Sequence, residues 1–300
     1  MTNSTNLRAI LAMVISMGTF VTSDSCMKLA LQHAPLFQLV LMRGIASISL
    51  CLALILAMGQ GPDLKRMFDK WLVGRGLLEV VANFSFTIAL GFIAIADLTA
   101  IAQTCPLFVL MGAWAFRGER LDLPRWGLVL LGIVGALLVA QPGTGAVSPF
   151  AFLAFITAIA SAARDLMTPN VPRGMPPLVA TFTVLVMLAL AGLVGTLAFE
   201  TQVVPTTRDI LLMALAGATG VAGHFLLYMT YRIGEARTVA PFMYTLTIWA
   251  VISGLILFGD VPNLLAVSGM VLVALAGLAI IWLDGRQRRE EARLAVEAQA

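Results

Sequence analysis

The stretch PLFQLVLMRGIASISLCLALILAM, residues 35–58, contains a single charged side chain, Arg43. An apolar run of about 20 residues has the length that an α-helix needs to cross a bilayer. Such runs recur along the whole chain, in which 60% of the 300 residues are hydrophobic and 12% are charged. A water-soluble protein of this size needs more polar surface. The sequence therefore predicts an all-α membrane protein.

The number of apolar runs predicts ten transmembrane helices, since one span and its loop take about 30 residues. A transmembrane β-barrel is disfavoured, because these runs do not alternate as barrel strands do. Cys26, Cys51 and Cys105 lie inside the runs without CxxC spacing, so neither a disulfide framework nor a zinc site is indicated. The predicted spans are 9–31, 35–58, 71–93, 97–116, 124–141, 148–168, 176–199, 208–232, 237–258 and 263–283.

The positive charges predict the orientation, because Lys and Arg concentrate in short cytoplasmic loops. With the N-terminus inside, cytoplasmic segments hold 15 of the 19 Lys and Arg residues, and external loops hold only Arg208. We therefore expect both termini in the cytoplasm. The net charge of +3 reflects these loops and gives no reason to expect a nucleic-acid partner.

An internal repeat appears when the sequence is shifted by 141 residues. The shift places Gly118-Glu119 on Gly259-Asp260, Asp24 on Asp165 and Asn83 on His224. It predicts two five-helix units, 1–141 and 148–283, followed by a charged tail, 284–300. Because five is odd, the second unit must enter the membrane from the opposite side. Inverted repeats of this kind place substrate near the midplane and alternate access by rocking.

These features resemble the drug/metabolite transporter superfamily in its ten-helix EamA-type branch. The resemblance implies an inverted-repeat fold and transport of a small organic metabolite. In the second half, Asp260 and Thr247 stand where the family usually has Glu and Pro. The residues that carry the resemblance are Lys28, Arg43, the run from Thr99 through Pro106 to Gly118-Glu119, and Gly127.

Two branches of the superfamily suggest different substrates. The pairs Ser23-Asp24 and Arg164-Asp165, with APFMY at 240–244, are similar to bacterial S-adenosylmethionine transporters. The ten-helix architecture is also similar to bacterial amino-acid exporters of the superfamily.

Ionisable groups inside the spans are the first candidate substrate-binding residues, since each costs about 2.5–3.5 kcal/mol to insert without a partner or a watery cavity. Asp24 and Asp165 could bind an ammonium group or exchange protons. The alternatives are an Asp24–Lys28 pair and a helix cap by Asp165. Arg43 could recognise a substrate carboxylate, or it could form a structural ion pair with Glu79.

The third span carries a polar stripe of Glu79, Asn83 and Phe86 on one helical face, which could line the cavity. A local Arg75–Glu79 salt bridge is the competing interpretation. His224 is the repeat mate of Asn83 and could hydrogen-bond substrate or carry a proton. Further candidates for substrate binding are Gln103, Tyr228 and Tyr244, and the predicted hinges are Pro106 and Pro241.

No Walker-type phosphate loop, HExxH or GxSxG motif is present, so neither ATP hydrolysis nor a cofactor is expected. Energy must then come from a gradient. The preferred hypothesis is a secondary transporter of the bacterial inner membrane that moves amino acids or related metabolites by alternating access, with export favoured. It would act as a monomer or homodimer, with protons as a candidate coupling ion. The alternatives are S-adenosylmethionine uptake or exchange and, from another class, an intramembrane lipid or acyl transferase.

Overall fold

The computed structural model describes residues 3–117, 123–140, 150–167, 170–172, 174–233 and 240–297, and within these the chain is helical. Short 3-10 segments cover Gly61–Phe68 and Ala240–Tyr244, and a π turn covers Gly254–Phe258. The α-helices, numbered α1 to α11, are Asn3–Ala30, Leu36–Ala57, Lys70–Leu90, Ile95–Ala102, Cys105–Arg117, Leu123–Ala140, Ala151–Met167, Pro177–Phe199, Thr207–Ile233, Thr245–Ser253 and Leu264–Glu297.

Within the described residues, eight apolar segments are long enough to cross a membrane: α1, α2, α3, α6, α8, α9, the start of α11, and the combined segment 95–116. One shorter apolar helix, Phe242–Phe258, is found among the same residues, and α7 has 17 residues. The last helix continues to Glu297 without a break, whereas the sequence suggested a span ending at 283 and a separate tail.

Polar side chains satisfy the backbone where helices begin. The Asp69 carboxylate accepts hydrogen bonds from the amides of Trp71 and Leu72, at 3.0 and 3.3 Å. The Glu200 carboxylate, from the segment before α9, accepts bonds from Phe37 and Gln38 at the start of α2, at 2.9 and 3.0 Å. The first amides of a helix have no intrahelical partner, so these carboxylates fix where α3 and α2 start.

Two of the predicted spans are discontinuous. The fourth is divided into α4 and α5 around Gln103 and Thr104, directly before Pro106, which cannot donate a backbone hydrogen bond. The ninth begins as the 3-10 segment Ala240–Tyr244, continues as α10 and ends in the π turn. Broken helices at membrane depth are tolerated where they are buried in protein or line a cavity.

The helices pack in a reciprocal pattern. Helix α1 packs on α9 and α3 on α7, while α2 pairs with α8, α4 with α10 and α6 with α11. In terms of the ten predicted spans, the first span of each half packs on the third span of the other half. The second, fourth and fifth spans of one half each pack on the span of the same number in the other half. This is the pattern that a two-fold axis between the halves produces.

Helices α2 and α8 run in opposite directions, and α6 and α11 approach closely. In the α2–α8 pair, Gly44 lies against Ala189 while Cys51, two turns later, contacts the Leu178 carbonyl eleven residues earlier. In the α6–α11 pair the backbones meet at Gly135 and Gly269. A Cβ on Gly135 would lie 2.9 Å from the Gly269 carbonyl oxygen, so only glycine permits this approach.

Candidate functional site

A cavity of about 380 Å³ lies between the two halves and is lined by residues of α1, α2, α3, α4, α7, α8, α9 and α10. This volume falls in the 300–1,000 Å³ range of small-molecule sites. Five of the side chains singled out from the sequence line it together: Asp24, Arg43, Glu79, Asn83 and His224.

A first group of charges joins α1, α2 and α3. The Arg43 guanidinium donates a hydrogen bond through Nη2 to Asn83 Oδ1 at 2.9 Å, and its charge acts on the Asp24 carboxylate. Asp24 itself has no hydrogen bond or ion pair within the described part of the chain. Lys28 does not pair with it, because its Nζ donates to the Ile93 carbonyl at 2.8 Å and to Asp260 Oδ2 at 3.4 Å.

A second group joins α3 to α7. Arg164 Nη1 bonds to Glu79 Oε2, and Arg164 Nε donates to Asp165 Oδ1 at 2.8 Å. The Cys105 thiol approaches Asp165 Oδ2 at 3.8 Å. Glu79 is therefore paired with Arg164 rather than with Arg43 or Arg75, the two partners considered from the sequence. Asp165 lies beside Arg164 and is not among the residues that line the cavity.

His224 lines the cavity beside the second group. Its Nδ1 lies 2.8 Å from the Gly220 carbonyl, and Phe20 packs edge-on against the ring with centroids 4.8 Å apart. A carbonyl oxygen can only accept, so Nδ1 carries the proton. In the neutral ring, Nε2 is then a hydrogen-bond acceptor.

Gln103 and Tyr244 lie at the two helix breaks, 141 residues apart in the sequence. The Gln103 Nε2 and the Tyr244 hydroxyl are both enclosed and have no hydrogen-bond partner among the described residues. Neither residue lines the cavity. Of the other candidates, the side chains of Tyr228 and Pro241 lie outside the part of the structure that is described.

The break in the fourth span supplies a backbone acceptor. In a continuous helix the Ala102 carbonyl would bond to the amide of residue 106, which here is proline. Ala102 lies at the C-terminal end of α4 and lines the cavity. The end of a half-helix carries a partial negative charge, so this wall favours a cationic group.

Sequence reasoning did not identify Arg164 as a cavity residue, because it was assigned to a cytoplasmic segment. The available signal was that Arg164 falls inside the apolar run 148–168. Hydroxyl groups were also missed: Thr157, which donates to the Ala82 carbonyl at 3.2 Å, lines the cavity with Ser161 and Thr99. Within the described residues, no cluster of three or more His, Cys, Asp or Glu could hold a metal ion.

Three curated bacterial transporters are similar to this chain. The riboflavin transporter of Rhizobium johnstonii is 28% identical, over 73% of this chain and 72% of that protein. The S-adenosylmethionine uptake transporter of Rickettsia prowazekii is 24% identical, over 70% and 71%. The pseudopaline exporter CntI of Pseudomonas aeruginosa is 26% identical, over 90% and 95%.

A solved crystal structure has the same fold, with a TM-score of 0.64 at 18% identity, over 96% of this chain and 99% of that one. The relatives are membrane transporters of small metabolites rather than enzymes, and the apolar helices place this chain in the bacterial inner membrane as a multi-pass protein. Residues 7–141 and 148–283 each match the model of one family, so the chain belongs to the EamA-like transporter family.

Proposed function

We propose that this protein is a secondary transporter that moves amino acids or related small metabolites across the inner membrane by alternating access. The observation that carries the proposal is the cavity between the two halves, which is lined by both carboxylate and guanidinium groups. Ionisable side chains are costly at membrane depth unless they are paired or face a watery cavity. A zwitterionic substrate would complement both signs of charge.

The proposed membrane topology has ten spans with both termini in the cytoplasm. The eight long helices account for eight of them, and α7 and the segment 240–258 would be the other two. Five spans then lie in each proposed repeat, 1–141 and 148–283. The antiparallel packing of α2 on α8 supports this division, because an inverted repeat places equivalent helices in opposite directions.

In the proposed binding mode, a substrate ammonium group lies near Asp24 and the C-terminal end of α4. A substrate carboxylate lies near Arg43, whose fork retains donors beyond the one bound to Asn83. His224 offers an acceptor nitrogen. Proton exchange through Asp24, Asp165, Glu79 or His224 would couple transport to the proton gradient, and Pro106 and Pro241 would act as hinges at the broken spans.

We favour export over uptake. CntI, an exporter, aligns with 90% of this chain and 95% of its own length, whereas the riboflavin and S-adenosylmethionine transporters align with 73% and 70% of this chain. The alignment with the exporter therefore includes nearly all the proposed spans. The protein acts as a monomer or a homodimer in this proposal.

S-adenosylmethionine uptake or exchange is the second candidate. It is favoured by the similarity to the Rickettsia transporter and by Asp24, whose carboxylate lines the cavity and can accept a sulfonium or ammonium group. Competition separates the candidates. Sulfonium binding that is displaced by S-adenosylhomocysteine and unaffected by free amino acids would support the second candidate over the first.

The test is exchange transport by purified protein in liposomes loaded with unlabelled amino acids, with labelled amino acid outside. We expect uptake of label by the wild type and a loss of about tenfold or more for Asp24→Asn, since hydrogen bonds to charged groups contribute about 1.5–3 kcal/mol. Asp63→Asn is the control, because Asp63 lies in the 3-10 segment outside the cavity. Equal rates for Asp24→Asn and the wild type would refute the assigned site.

A further inference from the structure

Arg75 lines the cavity from the N-terminal half of α3 and is not used by the binding mode described above. Its Nε is enclosed by protein, and no hydrogen-bond partner for it is found among the described residues. The other two cavity guanidinium groups are engaged: Arg43 bonds to Asn83, and Arg164 bonds to two carboxylates. Arg75 is half-buried, and a guanidinium whose Nε donor is unbonded can recognise an anion.

Arg75 and Asp24 belong to separate charge groups within the same cavity. The charges that act on Arg75 are those of Arg164, Glu79 and Asp165, whereas Arg43 is the charge that acts on Asp24. Asn83, which binds Arg43, lies eight residues further along α3 than Arg75. At 1.5 Å per residue, the backbone of α3 rises about 12 Å between the level of Arg75 and the level of Asn83.

This separation limits which ligands can use both groups. In an α-amino acid the ammonium and carboxylate groups are held on the same carbon, so they cannot reach both levels. An extended chain of six bonds spans roughly 7–8 Å. A hydrogen bond of about 2.9 Å at each end extends its reach to roughly 13 Å.

We propose that Arg75 binds the carboxylate of an elongated zwitterion whose ammonium group lies at Asp24. The favoured substrates are then ω-amino acids, short peptides and amino-acid conjugates, in preference to simple α-amino acids. The inference rests on the transporter function proposed above and narrows its substrate class. It preserves charge balance, because the ligand brings one charge of each sign and the cavity groups keep their existing pairs.

Three probes with six carbons test the inference: 6-aminohexanoate, its isomer L-norleucine, and hexylamine, which has no carboxylate. Binding is measured on purified full-length protein in detergent from the concentration dependence of the thermal shift. We expect the wild type to bind 6-aminohexanoate at least tenfold more tightly than either other probe. For Arg75→Gln, affinity for 6-aminohexanoate should fall about tenfold while that for hexylamine stays unchanged.

Two further variants control for charge and folding. Arg75→Lys keeps the positive charge and should retain part of the preference for 6-aminohexanoate. Lys65→Gln removes an exposed positive charge outside the cavity and should behave as the wild type. The melting temperature without ligand reports whether each variant is folded.

The inference is overturned if the wild type does not prefer 6-aminohexanoate, if Arg75→Gln keeps the preference, or if none of the probes binds at millimolar concentration. Failure of the transport proposal would look different. In that case liposomes would exchange no metabolite, whatever the outcome of the binding experiment in detergent.

Discussion

The ion pair between Glu79 and Arg164 is the main charged contact between α3 and α7, and its two ends are not equivalent. Their side chains are 21% and 22% exposed, so the pair is largely removed from solvent. Glu79→Gln leaves Arg164 its bond to Asp165 at 2.8 Å. The reverse change, Arg164→Gln, leaves both carboxylates without that partner. We therefore expect Arg164→Gln to be the more destabilising.

The magnitudes follow from this asymmetry. Loss of one hydrogen bond between charged groups costs about 1.5–3 kcal/mol, whereas leaving buried charges unpaired costs about 3–5 kcal/mol. At roughly 2–4 °C per kcal/mol, Tm should fall by about 5 °C for Glu79→Gln and by about 10 °C for Arg164→Gln. The double variant should be more stable than Arg164→Gln alone, because the second change removes a stranded carboxylate.

The assay is thermal unfolding in detergent, with all three variants compared in one double-mutant cycle. Asp63→Asn is the control. It removes an exposed pair, with side chains 36% and 38% exposed, that should contribute about 1 kcal/mol or less. The reasoning is refuted if Glu79→Gln destabilises as much as Arg164→Gln, or if the effects of the two single changes simply add.

Two further predictions concern packing and capping. Gly135→Ala should destabilise the folded protein by about 1–3 kcal/mol, since the new Cβ would meet backbone atoms of α11 at 2.9–3.0 Å. Gly127→Ala on the same helix is the control: nothing lies within 4 Å of its Cβ, so it should stabilise the protein by about 0.5–1 kcal/mol. Equal effects in thermal unfolding would contradict the close α6–α11 approach. Glu200→Gln should lower stability by about 1 kcal/mol, because the first amides of α2 lose a charged acceptor. Faster amide hydrogen exchange confined to the start of α2 would verify this prediction, and an unchanged exchange rate would count against it.

The general architecture could be predicted because membrane insertion constrains the sequence directly. Long apolar runs predicted the helix boundaries to within a few residues for most spans. The cost of isolated charge in lipid also explains why Asp24, Arg43, Glu79, Asn83 and His224 converge on one cavity.

Partners within the site could not be predicted in the same way. Local spacing suggested Asp24–Lys28 and Arg75–Glu79 pairs on single helices, but contacts between helices placed Arg164 beside Glu79 and Asp260 beside Lys28. These contacts depend on the crossing of α3 with α7 and on the position of the ninth span. Neither is encoded in the spacing along one helix.

Access to Ser161 from both sides of the membrane tests most directly whether the cavity is a transport pathway. Ser161 on α7 lines the cavity, whereas Ile159 on the same helix is 50% exposed on the outer surface of the bundle. Each is replaced by cysteine after Cys26, Cys51 and Cys105 have been changed to serine or alanine. Right-side-out and inverted membranes are then treated separately with a charged maleimide that cannot cross lipid.

The account predicts that Ser161→Cys is labelled from both sides and that a bound substrate slows the reaction. Ile159→Cys should stay unlabelled, because a thiol facing lipid does not form the reactive thiolate. Labelling of Ser161→Cys from one side only, or not at all, would contradict alternating access through this cavity.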